Sequence, residues 1–318
     1  MQEEVRIGTR KSPLALAQAE DVKRRLIEAH PGVPADAFII VPMMTTGDQV
    51  QDRTLLELGG KGLFTKEIED QLLDGGIDLA VHSSKDMPTR LPEGLDFPVF
   101  IEREDPRDAF LCLSAGSIEE LPEGAVVGTA SLRRGAQVLR LRPDLKVVPF
   151  RGNVGTRRRK LEDGVVDATL LALAGLNRLG QTDAATCILP VDQMLPAPAQ
   201  GAVGIETRTG DSRILELLAP LHHEETGIAV RAERALLDAL DGSCRTPIAA
   251  LSHLGGGELH LRGRLLSPDG SQCFEITDSG APEDAVEIGR RAGEALRTMA
   301  GEDFFAALEQ HMASAEVR

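Results

Sequence analysis

Two residues in this sequence have the side chains and the surroundings that acid–base or nucleophilic chemistry requires. Asp86 follows the apolar run 77–82 in the segment HSSKD, and Cys244 lies in the polar segment DGSCRTP between a helical pattern and a strand pattern. A fixed carboxylate at a strand end can stabilise a cation or hold an N–H group, and a thiolate beside Arg245 is a strong nucleophile. Each has a simpler interpretation, because Asp86 can cap the turn before Pro88 and a single cysteine is often an inert apolar residue.

Two turns that combine arginine with hydroxyl or amide side chains are typical of anion-binding sites. Segment 128–134 (GTASLRR) and segment 151–157 (RGNVGTR) each lead from a predicted strand into a predicted helix. N–H groups at a helix N-terminus and guanidinium groups both bind carboxylates and phosphates. The helix dipole disfavours Arg133 and Arg134 at a helix start, which indicates that the charge of a ligand offsets them. No GxGxxG or Walker pattern is present, so no nucleotide cofactor is predicted.

Charge is unevenly distributed along the chain. The net charge is −15 over 318 residues, yet residues 131–160 contain ten Lys or Arg and a single acid, Asp144. An acidic protein without Trp or Tyr is a poor candidate for binding nucleic acid, whereas a local basic cluster can hold a small polyanion. The alternative is that these basic residues only solvate helix faces.

Composition also bears on location and on metal binding. No apolar run is long enough to span a bilayer, and the charged residues 1–10 lack the apolar stretch of a secretion signal, so we expect a cytoplasmic protein. The four cysteines, Cys112, Cys187, Cys244 and Cys273, include no CxxC pair. This spacing argues against a zinc site or a disulfide framework, and no metal is expected.

Alternating strand and helix patterns position these segments. A strand over residues 5–9 precedes a helix with Ser12 as N-cap, and the alternation continues to about residue 173. Further apolar strands are predicted near 38–44, 77–82, 126–127, 147–150 and 168–173. The order predicts two α/β units with mostly parallel sheets, and strand 202–206 can return to the first unit after the linker 196–198.

A different pattern follows residue 220. A helix over 226–240 precedes three strands near 248–253, 258–266 and 272–277, and a last helix covers 282–299. This order predicts an α+β module with a three-stranded sheet, in which the SPDG turn joins the last two strands as a hairpin.

The segment 242–248 (GSCRTPI) resembles the cofactor-attachment signature of porphobilinogen deaminases. The other motifs of that family follow in order along nearly the whole chain: TRKSPLA, GGKGLF, HSSKD, EREDPRDA, both arginine turns and QGAVG. The resemblance implies an α/β protein with two lobes like those of type II periplasmic binding proteins, plus a C-terminal α+β domain. The implied domains are 1–101 with 201–219 (domain 1), 102–200 (domain 2) and 220–318 (domain 3).

The resemblance also implies an activity. Members of the family are transferases of tetrapyrrole (haem) biosynthesis that condense four porphobilinogens into hydroxymethylbilane with release of ammonia. The chain grows on a dipyrromethane cofactor bound through a thioether, which the motif places on Cys244, and hydrolysis releases the product. The motif assigns the catalytic role to Asp86, which would stabilise the cation left when ammonia departs. The resemblance further implies a monomer whose partner is porphobilinogen, with no nucleic-acid or membrane partner.

Binding and lid roles are carried over on the same motifs. The residues expected to bind the cofactor and the substrate are Arg10, Ser12, Ser83, Lys85, Thr129, Ser131, Arg133, Arg134, Arg151, Asn153, Arg157 and Gln200, and those expected in a lid are Lys61 and Phe64. Ala130, Ser84 and Lys11 replace residues that are more common in the family, and they affect only contacts near these motifs.

Two other classes of function remain open. A small-anion binding protein can share a two-lobed architecture with arginines at its cleft, although the segment around Cys244 does not favour it. A nucleic-acid-binding protein could use the basic stretch, against the acidic total charge.

Overall fold

The computed structural model describes residues 4–49, 65–241 and 246–316, and these ranges contain three β-sheets. The strands are β1 (Val5–Arg10), β2 (Phe38–Met43), β3 (Leu79–Ser83), β4 (Leu95–Phe100), β5 (Asp108–Cys112), β6 (Val126–Gly128), β7 (Lys146–Val148), β8 (Ala168–Ala172), β9 (Cys187–Ile188), β10 (Val203–Arg208), β11 (Ile248–Gly255), β12 (Glu258–Leu266) and β13 (Cys273–Gly280). The α-helices are α1 (Pro13–Ala29), α2 (Thr46–Gln49), α3 (Lys66–Leu73), α4 (Leu132–Leu141), α5 (Val154–Glu162), α6 (Leu173–Arg178), α7 (Ser212–Leu218), α8 (Glu224–Ala239) and α9 (Ala285–Glu316).

The first sheet has the strand order β2-β1-β3-β10-β4. Strand β1 is parallel to β2 and β3, whereas β10 is antiparallel to both β3 and β4. The return of the chain to this sheet after residue 200 is thus confirmed. Helix α1 covers one face, where Ile7, Val22 and Leu26 are buried in a common core.

The second sheet repeats this plan with the order β7-β6-β8-β5-β9. Strand β6 is parallel to β7 and β8, and β5 is antiparallel to β8 and β9. The prediction of mostly parallel sheets is therefore wrong, because half of the strand pairings in each sheet are antiparallel. The reason is the path of the chain. Strand β5 follows β4 of the first sheet, and β10 follows β9 of the second sheet. Neither strand is therefore reached by a helical crossover within its own sheet, the connection that makes neighbouring strands parallel.

The third sheet is an antiparallel meander, β11-β12-β13, covered by α8 and α9 as the sequence predicts. The hairpin turn lies against α4, and Gly270 permits this contact: its φ is 72°, and a Cβ there would come 2.4 Å from the Ala136 carbonyl oxygen. The last helix extends to Glu316 rather than ending near residue 299, with a break at Gly301.

Side chains from α8 join the third sheet to the two segments that connect the first two sheets. Glu233 is fully buried and accepts hydrogen bonds from Arg103 in one connection and from the Ala199 N–H in the other, at 2.7 and 2.6 Å. Its Oε1 atom also accepts the Ser252 N–H of β11 at 2.7 Å. A single carboxylate thus fixes three parts of the chain relative to one another. None of the helices in the described ranges has the length and apolar character that a membrane span requires.

Candidate active site

The main cavity lies where the ends of the first two sheets meet the third sheet, and the cleft measures about 820 Å³ when the space open to solvent is included. Its lining residues come from all three parts of the chain: Lys85, Asp86, Ala130, Ser131, Arg133, Arg134, Arg157, Ala197, Pro198, Gln200, Leu237, Thr246 and Ile248. The lining of the cavity combines cationic side chains with apolar side chains. Such a lining suits a ligand with apolar rings and carboxylate substituents.

A side cavity of about 410 Å³ opens beside it in the first sheet. Its lining residues are Arg10, Ser12, Leu14, Ala15, Gln18, Thr65, Val81, His82, Ser83 and Asp86. Ser12 caps α1 by accepting the Ala15 N–H, and Ser83 exchanges hydrogen bonds with the Gln18 amide at 2.9 and 3.1 Å. The predicted residues of the first sheet therefore divide between the two cavities.

Asp86 lines both cavities. It ends a short 3-10 turn, Ser84–Asp86, that follows β3, and it is half-buried. The turn hydrogen bond runs from the Met87 N–H to the Ser84 carbonyl, and within the described residues the Asp86 carboxylate makes no hydrogen bond of its own. The Asp86 carboxylate therefore does not cap the turn before Pro88, and it is available to a ligand.

Arg133 and Arg134 begin α4 after the capping residue Ser131, and both are buried. They share one protein carboxylate, Asp108 at the start of β5: Oδ2 lies 2.8 Å from Arg133 Nη1, and Oδ1 lies 2.7 Å from Arg134 Nη2. The sequence predicts that a ligand's charge offsets both arginines, but Asp108 already offsets one of the two charges. That a ligand offsets the other charge stays a prediction. One positive charge remains, and Arg133 Nε has no hydrogen-bond partner among the described residues.

Lys85 is held next to Asp86 on the same turn. Its Nζ atom donates to the Gln200 side-chain oxygen at 3.4 Å. Burial lowers the pKa of Lys85 to about 8, with further lowering by Arg134, while the negative charges of Asp86 and Asp108 act in the opposite direction. Lys85 therefore loses its charge at a lower pH than an exposed lysine.

The second arginine turn contributes mainly Arg157. It lines the main cavity and donates from Nε to the Gly152 carbonyl at 2.9 Å. Burial lowers the pKa of Arg157 to about 10, and the neighbouring charges of Arg134 and Arg151 lower it further. This unfavourable environment is relieved when a carboxylate binds.

Three predicted residues are not among those lining either cavity. Asn153 is exposed and caps α5 by accepting the Thr156 N–H at 2.8 Å. Thr129 is buried and accepts the Ser131 N–H at 3.1 Å. Arg151 is half-buried near Arg157, as the effect on the pKa of Arg157 indicates.

The structure adds residues that the motifs did not single out. Asp108 lies inside the EREDPRDA motif, but its partnership with α4 is a tertiary contact without a signal in the sequence. Gln18 is a buried polar residue on the apolar face of α1, and that irregularity in the pattern was a visible signal. In the sequence, Leu237 and Ile248 look like ordinary core residues, but in the structure they line the main cavity.

The donor set fits a polycarboxylate such as a dipyrromethane with acetate and propionate groups. One cavity is lined by Arg133, Arg134, Arg157 and Lys85, and among its described lining residues only the half-buried Asp86 is acidic. The buried Asp108 forms ion pairs with two of these arginines. Cys244, Lys61 and Phe64 lie outside the described residues. Within the described ranges, no cluster of three His, Cys, Asp or Glu side chains could hold a metal ion.

Comparison with protein families gives two matches that together cover most of the chain. Residues 5–216 match the family described as porphobilinogen deaminase, dipyromethane cofactor binding domain, and residues 228–298 match the porphobilinogen deaminase C-terminal domain. A porphobilinogen deaminase of Nitrobacter hamburgensis is 56% identical over 299 residues, which is 94% of each chain. One from Nitrobacter winogradskyi is 55% identical over the same lengths.

Among solved structures, the matches include two periplasmic binding proteins. A periplasmic substrate-binding protein of an ABC transporter from Coxiella burnetii has 15% identity and a TM-score of 0.43, with 69% of this chain and 92% of that chain covered. The periplasmic aliphatic sulphonate binding protein from Escherichia coli has 14% identity and a TM-score of 0.41, with 76% and 71% covered.

Proposed function

Because the chain belongs to the porphobilinogen deaminase family, we propose that it condenses four porphobilinogens into hydroxymethylbilane with release of ammonia. The observation that supports this most directly is the position of Asp86. Its half-buried carboxylate borders two cavities, beside Lys85 and in a lining that also contains Arg133, Arg134 and Arg157. A negative group with access to both cavities, within a cationic lining, suits a reaction that forms a cation on a polycarboxylate.

The role we assign to Asp86 is electrostatic and acid–base. Departure of ammonia from porphobilinogen leaves a cation delocalised over the pyrrole, and a fixed carboxylate lowers the barrier to its formation. The same carboxylate can accept the pyrrole N–H as a hydrogen bond and hold a proton during coupling. A bound dipyrromethane supplies the pyrrole carbon to which the first new ring is joined.

The cationic residues bind the acetate and propionate groups. Arg133, Arg134, Arg157 and Lys85 act in the main cavity, and Arg10 with Ser12 and Ser83 acts in the side cavity. Gln200 positions Lys85. The roles of Arg151, Thr129, Ser131 and Asn153 in this proposal are to shape the two arginine turns and to add charge near them.

Cys244 is the proposed attachment site of the dipyrromethane through a thioether. Thr246 lines the main cavity and follows Cys244 by two residues in the sequence, and Ile248 lines it as well. Lys61 and Phe64 are proposed lid residues on the basis of their motif alone. The proposed domains are 1–101 with 201–219, 102–200, and 220–318. The grouping of the strands into three sheets supports a division into three parts.

We also propose that the protein acts as a cytoplasmic monomer that binds no nucleic acid. Cys112, Cys187 and Cys273 are unpaired thiols, as is usual in a reducing compartment. The net charge of −15 opposes binding to nucleic acid outside the cleft.

Intact mass of the denatured protein, followed by peptide mapping, tests the proposal. We expect wild type to carry an excess mass equal to two porphobilinogen units less their ammonia, located on Cys244. Cys244→Ala should lack this mass, and Cys273→Ala, a matched control on β13, should retain it. A bare chain mass even after incubation with porphobilinogen would refute the proposal and favour a small-anion binding protein.

A further inference from the structure

The carboxylate of Asp108 is the common partner of three polar residues that line the main cavity, namely Arg133, Arg134 and Gln200. Asp108 is fully buried at the start of β5. Besides its ion pairs with Arg133 and Arg134, it accepts a hydrogen bond from Gln200 Nε2 at 2.9 Å, and Gln200 in turn accepts one from Lys85. The cations contributed by the first and second sheets are thus organised around one acid.

This acid keeps its charge at every pH at which the protein would work. Burial raises the pKa of Asp108, but the adjacent guanidinium groups of Arg133 and Arg134 outweigh burial and hold the pKa well below its usual range. The two arginines therefore present one net positive charge to a ligand, rather than two.

The strength of this attraction matters because the ligand changes during the reaction. Each added porphobilinogen brings two carboxylates, so the attraction between the growing chain and the cleft increases with every ring. The site that binds the incoming porphobilinogen must nevertheless be vacated by the previous ring before each new ring is added. A cleft with two uncompensated guanidinium groups would hold the intermediates more tightly than a cleft with one net positive charge.

We infer that Asp108 is a positioning residue that limits how tightly the cleft holds the growing polycarboxylate, and thereby allows elongation and release. This inference rests on the proposed function and extends it to a residue outside the assigned site. Asp108 does so by holding Arg133 and Arg134 side by side and by neutralising one of their charges. Asp108 also accepts a hydrogen bond from Gln200, which in turn accepts one from Lys85, so Lys85 belongs to the same cluster of charges.

The test is Asp108→Asn, which keeps the shape of the side chain and removes its charge. The holoenzyme is mixed briefly with porphobilinogen, and the number of rings bound per protein is counted by intact mass. We expect the fraction that carries three or four added rings to rise about ten-fold, because an uncompensated guanidinium strengthens each carboxylate contact. Both kcat and KM should fall, and added salt should partly restore release.

Asp144→Asn is the matched control. Asp144 also forms an ion pair with an arginine, Arg142, at 2.6 Å, but this pair is exposed to solvent at the end of α4. The control should show the wild-type distribution of intermediates. If Asp108→Asn shows the wild-type distribution too, or a raised KM without accumulation, Asp108 serves only to hold the fold and the inference is wrong.

A charge-restored double variant tests whether charge, rather than a local change of shape, causes the accumulation in Asp108→Asn. Asp108→Asn combined with Arg133→Gln returns the pair to one net positive charge, so accumulation of intermediates should disappear. Accumulation that persists in the double variant would overturn the inference. Failure of the proposed function gives a different signature, because wild type itself would then carry no primer and convert no porphobilinogen.

Discussion

The guanidinium of Arg103 and the carboxylate of Glu233 form a two-pronged ion pair, with N···O distances of 2.7 and 3.0 Å. Glu233 also accepts two backbone N–H groups, and no part of its side chain reaches solvent. Replacement of one partner of such a buried pair leaves the other charge uncompensated. We expect Glu233→Gln to lower the free energy of unfolding by about 3–5 kcal/mol.

Chemical denaturation measures this effect, with Glu225→Gln as control. Glu225 lies in the first turn of the same helix but is exposed, so its change should cost only a few tenths of a kcal/mol, on the order of a helix-dipole interaction. Equal effects of the two substitutions would show that the buried pair is not a principal stabilising contact.

Asp86→Asn should slow turnover by on the order of 100-fold or more, because the amide cannot stabilise a cation as the carboxylate does. Primer loading, measured by intact mass, should be retained, since this half-buried side chain makes no hydrogen bond within the described part of the chain. Asp96→Asn, an exposed substitution on β4, is the control and should leave kcat unchanged. Near-normal turnover of Asp86→Asn would remove Asp86 from the mechanism.

Two arginines of α5 can distinguish a direct contact with the substrate from a general effect of positive charge. Arg157 lines the main cavity, whereas Arg159 is exposed on the same helix. Arg157→Leu should raise KM for porphobilinogen about ten-fold through loss of a charge-assisted hydrogen bond, and Arg159→Leu should leave KM unchanged. Steady-state kinetics at fixed ionic strength distinguish these outcomes, and similar KM values for both variants would argue for a diffuse electrostatic effect.

The lowered pKa of Lys85, about 8, predicts a dependence of substrate binding on pH. Below pH 8 the ammonium group binds carboxylate, and above it the neutral amine does not, so kcat/KM should fall as pH rises through this value. Lys85→Arg keeps the charge and should move the decline to higher pH. A pH profile that is identical in wild type and Lys85→Arg would assign the alkaline decline to another group.

Local sequence patterns predicted where helices begin, but they did not predict which charged side chains pair in the folded protein. Ser12 was predicted as an N-cap and the helices after Ser131 and Asn153 were predicted to begin there, because capping depends on residues three positions apart. The partnership of Asp108 with Arg133 could not be predicted, because it depends on which strand lies beside α4. The prediction of strand direction failed for the same reason. In the sequence, β5 and β10 look like any other buried strand, and only the path of the whole chain makes them antiparallel to their neighbours.

The placement of β10 has a consequence for how the protein forms. Val203 of β10 pairs with Ser83 of β3, and Gly204 pairs with Phe100 of β4, so a strand from far along the chain separates two strands made early. During synthesis, the first sheet therefore lacks its fourth strand until the entire second sheet has left the ribosome. Such non-local pairing slows folding and leaves the edges of β3 and β4 exposed in the meantime. The nascent first sheet therefore exposes unpaired edges on β3 and β4 until β10 is made, and these edges are where premature association of the chain is expected.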